Sequence, residues 1–446
     1  PADPQQGKAA RRRFIFWDPD ANTWYQAAVG SKIKLGHVAD ALDDVFHEVG
    51  TTRDFDGGFF GVPLPQEARA AYRFIDANGV MWELMCLAIG HSGSPELCQL
   101  LAATIAGHPD YAEVPLQLSR PHSTRVHIDD IGIRHARCDT DVVAAFFAER
   151  EALFGVRWKA STFQTGSEKY VFLGLLWDHR LKTIGLSEKF REKLRAAFAA
   201  LRNGTLTYAE LESLSGRLIY AACALRQPLA AYYLTMKGMR RVFRRDVQLT
   251  DVVSFEQVPL LKLNIERWIC RLLAEPVPLK RMRGKRVAWL FTDASLRGWG
   301  AVLVTSSGKV FILGKSFRGT YTSGDSTYLE ALGLAHAVAA LQPTLIAEDI
   351  GTLHVIVDNM ALEAGLRRGV ARSVTVNAAL LRGLLVLRPL GIAVTARYIA
   401  SGANPADCIS RGEPVDWEKL SVAVEEVERL GGSACRAFPK STTKSH

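Results

Sequence analysis

His127-Ile128-Asp129-Asp130-Ile131-Gly132-Ile133 is the stretch from which the fold can be read. Two adjacent acids sit between apolar residues, in a segment (Val126 to Ile133) that is otherwise strand-like. The pair therefore reads as the tip of a tight hairpin joining two buried strands. Carboxylates so placed are costly unless a cation neutralises them. Taken alone, Asp129-Asp130 is an ordinary acidic turn. Upstream lies Arg53-Asp54-Phe55-Asp56-Gly57-Gly58-Phe59-Phe60-Gly61-Val62-Pro63-Leu64, where Asp54 ends another strand-like run. Three acids at strand ends would complete a hard-oxygen site for Mg²⁺. Between the two segments, Gly90-His91-Ser92-Gly93-Ser94-Pro95 opens a helix, with Ser94 as a cap and Pro95 in its first turn. Leu97, Leu101 and Ile105 are expected to face the core of that helix's surroundings.

Further out, Lys169 to Trp177 is strand-like, and residues 187–275 read as helical. Phe190, Leu194, Phe198 and Leu201 recur at helical spacing, and Asn203-Gly204 ends that helix. Thr207-Tyr208-Ala209-Glu210 is a capping box, followed by Leu211, Leu214 and Leu218 on one face. Pro276-Val277-Pro278 and the basic run Lys280 to Arg286 read as a linker. A second α/β segment then carries four more acids. Asp293 follows an apolar strand, Glu330 opens an alanine-rich helix, Asp358 ends the strand His354 to Val357, and Asp407 follows Asn404-Pro405-Ala406. Singly, each is a cap or surface acid; together they suggest a second metal pair.

The composition sets the frame. The chain has 446 residues, 48% hydrophobic and 23% charged, which excludes a mainly disordered protein and suggests several globular units. No run of about 18 or more apolar residues lacks charges, so no membrane span is expected. The net charge is +9, with basic clusters at Lys8 to Arg13, Lys237 to Arg245 and Lys280 to Arg286. Such clustering fits either a solvated surface or a polyanionic partner. Seven scattered cysteines without a CxxC imply neither a zinc site nor a disulfide framework, and suit a reducing compartment. Localisation is thus expected to be intracellular, cytoplasmic or nuclear. The chain starts at Pro1 without a signal-peptide pattern, as a segment of a longer polyprotein would.

The three segments around Asp54, Gly90 and Asp129-Asp130 closely resemble motifs A, B and C of retroelement reverse transcriptases, in order and spacing, over residues 8–275. His127 stands where the family usually has Tyr. The four later acids resemble the Asp-Glu-Asp-Asp set of the ribonuclease H family. The resemblance implies a right-hand polymerase (fingers, palm, thumb) followed by a ribonuclease H-like α/β domain. Its divisions are fingers and palm at 1–180, a helical thumb at 181–275, a basic linker at 276–286, the ribonuclease H domain at 287–412 and a partly flexible extension at 413–446. It implies RNA-directed DNA polymerase (nucleotidyltransferase) and endonucleolytic ribonuclease H activities. Both use two-metal phosphoryl transfer, with two Mg²⁺ (or Mn²⁺) ions per site. Asp54, Asp129 and Asp130 would bind the ions of the first site, and Asp293, Glu330, Asp358 and Asp407 those of the second. Asp56 is the weaker candidate; alternation puts it on the strand face of Asp54, but the family match favours Asp54.

The resemblance also implies dNTP contacts: Phe59 as a steric gate against the ribose 2′-hydroxyl, Gly90 in the motif B turn, Lys8 and Arg13 from short fingers, and Lys159 near the pyrophosphate. His127 is expected to pack beside the hairpin rather than act as an acid or base. Tyr170-Val171-Phe172-Leu173-Gly174 resembles the strand that grips the primer end, so Phe172, Leu173 and Gly174 would touch nucleic acid. Lys189, Arg217, Arg240 and Arg241 would contact the duplex from the thumb, with Arg191, Lys193 and Arg195 as further backbone contacts. The implied partners are an RNA template, a DNA primer, an RNA/DNA hybrid and dNTPs, with no membrane. The Asn404 to Arg411 ending resembles DIRS-like and VIPER-like tyrosine-recombinase retrotransposons, with gypsy-class and pararetroviral enzymes nearby. No histidine precedes Asp407 in the loop where many ribonucleases H have one. The interval from Gly174 to Asp293 leaves little room for a connection domain, which is compatible with a monomer. A reading from another class is a catalytically silent RNA-binding scaffold on the same two folds, though none of the seven acids is missing. A DNA polymerase or nuclease acting alone fits less well, since both motif sets stand in one chain.

Overall fold

A computed structural model of the chain describes residues 15, 22–23, 38–243, 247–274, 277–278 and 286–431. The chain is mixed α/β and divides into two compact units, one of residues 1–190 with 275–279, the other of 191–274 with 280–446. The helical segment expected as a thumb thus groups with the later α/β segment.

In the first unit, β1 (Val49–Asp54) lies inside a four-stranded sheet of order β4-β5-β1-β6, with β4 at Ser123–His127, β5 at Asp130–His135 and β6 at Gln164–Ser167. Between β1 and β4 the chain makes a small hairpin, β2 (Arg73–Ile75) and β3 (Met81–Glu83), and helix α1 (Ser94–Ile105). Helix α2 (Thr140–Phe154) follows β5 and ends at Gly155, whose φ of 63° stops the helix without the strain a side chain would add. The sheet's core is Ile131, Ile133, Val143 and Phe147, with Ala102 from α1 and Ala106 just after it. Such small residues let α1 sit close. Of the three residues expected in the core, Ile105 is buried but Leu97 and Leu101 are exposed, and the other buried positions are Ser94, Cys98, Gln99, Ala102 and Ala103. Ser94 is also not the cap. Gly93 holds that position, and the Ser94 hydroxyl is buried without a partner.

A second sheet has the order β10-β9-β8-β7, from β7 (Lys169–Phe172), β8 (Leu175–Asp178), β9 (Thr183–Leu186) and β10 (Val277–Pro278). The Lys169 to Trp177 run is therefore a hairpin, turning at Leu173 and Gly174 with φ of 50° and 74°. Part of the expected linker is a strand: Val277 pairs with Ile184 at the sheet's edge, where Pro278 is tolerated. Residues 279–285 of that linker lie outside the described residues.

In the second unit, helices α3 (Glu188–Asn203, of which 191 onward belongs here), α4 (Tyr208–Ala224), α5 (Tyr233–Val242) and α6 (Pro259–Leu273) bury Leu194, Leu201, Leu211, Leu214, Leu218, Ile265 and Trp268. The Thr207/Glu210 capping box starts α4 as its sequence predicts. The α/β part is a five-stranded sheet of order β13-β12-β11-β14-β15, from β11 (Arg286–Ala294), β12 (Gly298–Thr305), β13 (Val310–Ser316), β14 (Ile350–Val357) and β15 (Ala393–Tyr398). Pairings β11–β14 and β14–β15 are parallel, the others antiparallel. Helices α7 (Ser326–Ala347), α8 (Met360–Arg368) and α9 (Val374–Leu387) cover one face, and α10 (Trp417–Gly431) places Leu420, Ala423 and Val424 on the other. By length and hydropathy α7 is long and apolar enough to cross a membrane, but it carries Glu330 and 56% of its apolar window is buried within the protein. Its apolar character is that of a helix wedged between sheet and α9.

Candidate active sites

The first acid cluster is built by strand register. Antiparallel pairing of β1 with β5 sets Asp54 opposite Asp130 and Arg53 opposite Ile131. Arg53 anchors the end of β1. It is buried, and its guanidinium donates to the Thr52 and Gln164 carbonyls at 2.8 Å and the Thr165 hydroxyl at 3.0 Å, lying 3.3 Å from the Phe163 ring centroid. Asp129 sits in the β4–β5 turn, next to Ile128, whose φ is 59°. That conformation is strained for a β-branched residue. It is held from α1: the Ile128 amide donates to Gln99 Oε1 at 2.6 Å, and Gln99 Nε2 donates to the Val126 carbonyl at 3.1 Å. Gly58 (φ 48°) lies across from the turn, where a Cβ would stand 3.1 Å from Asp129 Oδ2. Burial, reinforced by Asp54 and Asp129, pushes the Asp130 carboxyl up to about 7. Burial first, then Asp54, also raises Asp129. Lys159 reaches the cluster: its amide donates to the Asp54 carbonyl at 2.8 Å, and its Nζ lies 2.7 Å from Asp54 Oδ2.

The other candidates of this unit distribute unevenly. Phe59 is half-buried in a single helical turn, Gly58–Gly61. Gly90 has φ 108°, and the buried Asn22 tethers its loop, donating to the Gly90 carbonyl at 3.0 Å and accepting from the Ser92 amide at 2.6 Å. Asp56 is exposed in a bend after β1, so strand alternation does not align it with Asp54. His127 pairs across the hairpin with Asp130 and its Nδ1 is buried without a partner. Phe172 is buried, 4.2 Å below the Arg134 guanidinium, so its ring is core and does not face a ligand. Leu173 and Gly174 form the turn beside it. Lys189 is exposed. Lys8 and Arg13 lie outside the described residues.

In the second unit, Asp293 lies near the end of β11, Glu330 in the second turn of α7, Asp358 directly after β14 and Asp407 at the start of a helical turn, Asp407–Ser410. Asp293 and Glu330 are buried. Burial, with the charges of Asp358 and Asp293, pushes Glu330 up to about 7. Burial, then Asp358 and Asp407, raises Asp293. The four acids therefore share one field. The surroundings orient them: the Ser410 hydroxyl donates to Asp293 Oδ2, Asn359 Nδ2 donates to Glu330 Oε1 at 3.1 Å, and Arg411 Nη2 lies 2.7 Å from Asp407 Oδ1. Asn359 also caps α8 through its Oδ1. The fully buried Asn404 donates to the Thr292 carbonyl at 2.9 Å and fixes the loop before Asp407. Gly300 allows this loop to approach, since a Cβ there would stand 2.6 Å from the Ala406 carbonyl and the Ser410 amide. Sequence reading passed over Gln99, Ser410 and Asn359 as orienting residues.

The donor sets suit hard divalent cations. All seven side chains are carboxylates, and Glu330 Oε2 and Asp358 Oδ1 are buried without a hydrogen-bond partner, as oxygens awaiting an ion would be. Yet among the described residues no three His, Cys, Asp or Glu side chains are arranged to hold an ion as they stand. Lys159 and Arg411 pair with one carboxylate oxygen each, and the Ser410 hydroxyl donates to a third. Cationic side chains also line the helical part. Arg217 and Lys193 border a cavity of about 390 Å³ with Ser213, Ala196 and Ala197, and Arg240 and Arg241 are exposed at the end of α5.

No protein-family model and no curated protein sequence matches the chain. Among solved structures it is similar to the foamy viral protease-reverse transcriptase in complex with double-stranded DNA, in a form designated dRH. There the TM-score is 0.46 and the identity 14%, over 82% of this chain and 60% of that one. For the foamy viral protease-reverse transcriptase in complex with RNA/DNA hybrid the TM-score is 0.45 and the identity 14%, over 83% of this chain and 48% of that one. The chain thus spans less than two thirds of the length of either.

Proposed function

We propose that this chain is a reverse transcriptase with ribonuclease H activity, of retrotransposon origin. The observation that carries the reading is the repetition of one chemical feature on two unrelated sheets. Each gathers buried and half-buried carboxylates where strands end and helical turns begin, with at least one carboxyl pushed up to about 7 by burial and by its acidic neighbours. Buried like charges are expensive to hold together. Divalent ions relieve that cost.

Asp54, Asp129 and Asp130 would hold Mg²⁺ or Mn²⁺ at the first site, and Asp293, Glu330, Asp358 and Asp407 at the second. Bound there, such ions lower the pKa of an attacking hydroxyl or water and neutralise the leaving oxygen. The protein's own contribution is position. Register fixes Asp54 against Asp130. Gln99 fixes the turn that carries Asp129. Ser410 and Asn359 fix Asp293 and Glu330. Phe59, close after Asp54, would exclude a ribose 2′-hydroxyl and so select dNTPs. Exposed Lys189, Arg240 and Arg241 would meet backbone phosphates of an RNA/DNA hybrid without reading its sequence. The Asn404 to Arg411 ending supports a DIRS-like origin and, with it, an intracellular site of action.

The test is extension of a labelled DNA primer on a differently labelled RNA template with dNTPs and Mg²⁺. Lengthening of the primer with shortening of the RNA is expected, Asp129→Asn abolishing only the first and Asp358→Asn only the second. Tight hybrid binding with neither reaction, in Mg²⁺ and in Mn²⁺, would instead establish a silent scaffold.

A further inference from the structure

The two clusters share an arrangement that their different topologies do not require. In each, a single acid is paired with a cation at 2.7 Å: Lys159 on Asp54, and Arg411 on Asp407. The Lys159 pair is the more enclosed, with the Asp54 side chain 12% exposed and that of Lys159 36% exposed. Its backbone is fixed. The Lys159 amide is bonded to the Asp54 carbonyl, and the preceding Trp158 stacks on Phe55 at 5.1 Å and meets the Phe147 ring edge-on at 5.4 Å. What these contacts leave unfixed is the partly exposed four-carbon stem. Arg411 is built alike: its backbone belongs to the turn after Asp407, and its side chain is 59% exposed.

We infer that Lys159 and Arg411 are built-in stand-ins for divalent ions, seated on Asp54 and Asp407 in the ion-free chain and displaced when ions bind. The inference rests on reading the clusters as ion sites. A divalent ion bonds carboxylate oxygen at about 2.0–2.1 Å for Mg²⁺. An ion taking Asp54 Oδ2 would meet the Lys159 ammonium, 2.7 Å from that oxygen, with strong repulsion. Ion and ammonium compete for that oxygen, and the partly exposed Lys159 side chain can swing aside. One consequence is that the ion-free protein avoids an unpaired carboxylate at the nearly buried Asp54.

The test is Mn²⁺ uptake by the full chain at pH 8 without nucleic acid or nucleotide, read from the free-ion electron paramagnetic resonance signal. The first cluster is read in an Asp293→Asn/Asp358→Asn background, the second in an Asp54→Asn/Asp130→Asn background. Lys159→Met should tighten Mn²⁺ binding about tenfold, the loss of roughly 1.4 kcal/mol of competition, while Lys159→Arg stays near the parent. Arg411→Met and Arg411→Lys should behave likewise at the second cluster. Unchanged or weaker binding in the Met variants overturns the inference while leaving the ion sites intact. If Asp54→Asn/Asp130→Asn removes no Mn²⁺ uptake from the otherwise unaltered chain, the ion-site reading itself fails and the stand-in role falls with it. Should Lys159→Met not fold, the unsubstituted chain decides: after reductive ¹³C-methylation, the lysine resonance absent from Lys159→Arg must shift when Mg²⁺ is added, and a resonance that stays put while ions bind refutes the displacement.

Discussion

Replacing Gln99 with Met tests how the first cluster is held. Gln99 is buried, 8% exposed, and meets the β4–β5 turn with both ends of its amide. Methionine keeps the length of the side chain and loses both bonds. The Ile128 amide, part-buried and bonded at 2.6 Å in the parent, is left without this acceptor. An orphaned buried donor costs about 1–3 kcal/mol. The same amide belongs to a residue at φ 59°, a conformation costing an L-residue roughly 1–2 kcal/mol. The Gln99 bond thus offsets a strain of its own size, and without it the turn relaxes and carries Asp129 away from Asp54 and Asp130. Expressed wholly in the transition state, about 1–3 kcal/mol is a loss of roughly 5- to 150-fold in primer-extension kcat/KM. The melting temperature should fall by about 2–4 °C per kcal/mol for a unit of this size. RNA cleavage by the second cluster should be unaffected. Ile128→Gly removes the strain, so the double variant should lose less than the sum of the singles, a coupling that a double-mutant cycle measures. Additive singles, or a lowered melting temperature with unchanged primer extension, would refute the role assigned to Gln99.

Three further outcomes are expected. Gly300→Ala drives a methyl group to 2.6 Å from the Ala406 carbonyl and the Ser410 amide. It should cut RNA cleavage at least tenfold while primer extension survives; equal loss of both would mean general unfolding. Gly50→Ala would place a Cβ 2.2 Å from the Tyr170 hydroxyl, which is bonded to Arg134 and His179 at 3.1 Å, so urea denaturation should show a loss of about 1–3 kcal/mol in the first unit. Glu330 loses its proton near pH 4 when unfolded and near 7 when folded, so in EDTA its contribution to stability is present below about pH 4 and lost as pH rises through about 7. Buried histidines such as His179, lowered to about 4, pull the other way, so the measurement is a difference: Glu330→Gln should melt above the parent at pH 8 and lose that advantage at pH 5, with a pH-independent difference counting against the assignment.

What was legible in the sequence was whatever depends on strand ends and turn chemistry. Asp129 and Asp130 interrupt an apolar run, Asp54 ends a strand-like stretch rich in Thr, and the observed register brings Asp54 opposite Asp130. The Thr207 capping box is a local bond between residues three apart, so its reading needed nothing distant. Helix α1 shows where local pattern fails. Leu97 and Leu101 satisfy an apolar stripe, but the sheet beneath takes the face with Cys98, Ala102 and Ala103, because small residues let the helix come close enough for Gln99 to reach the turn. Phe172 misled in the same way, since its ring supports Arg134 inside the fold.

The residues that escaped sequence reading have one thing in common. Gln99, Ser410 and Asn359 act across sequence separations of about 30 to 117 residues, and each is of a type that usually solvates, caps or turns. Nothing in their immediate neighbours marks them, because what marks them is the strain or charge of the group they face. Ile128 needs an acceptor for a strained amide; Asp293 and Glu330 need donors that cost no net charge. A neutral donor orients a carboxylate and leaves its charge for an ion, whereas Lys159 and Arg411 cancel it. The clusters therefore combine two kinds of partner, neutral groups that set direction and cations that hold a place. A carboxylate built only for stability would have no use for the first kind beside so many like charges.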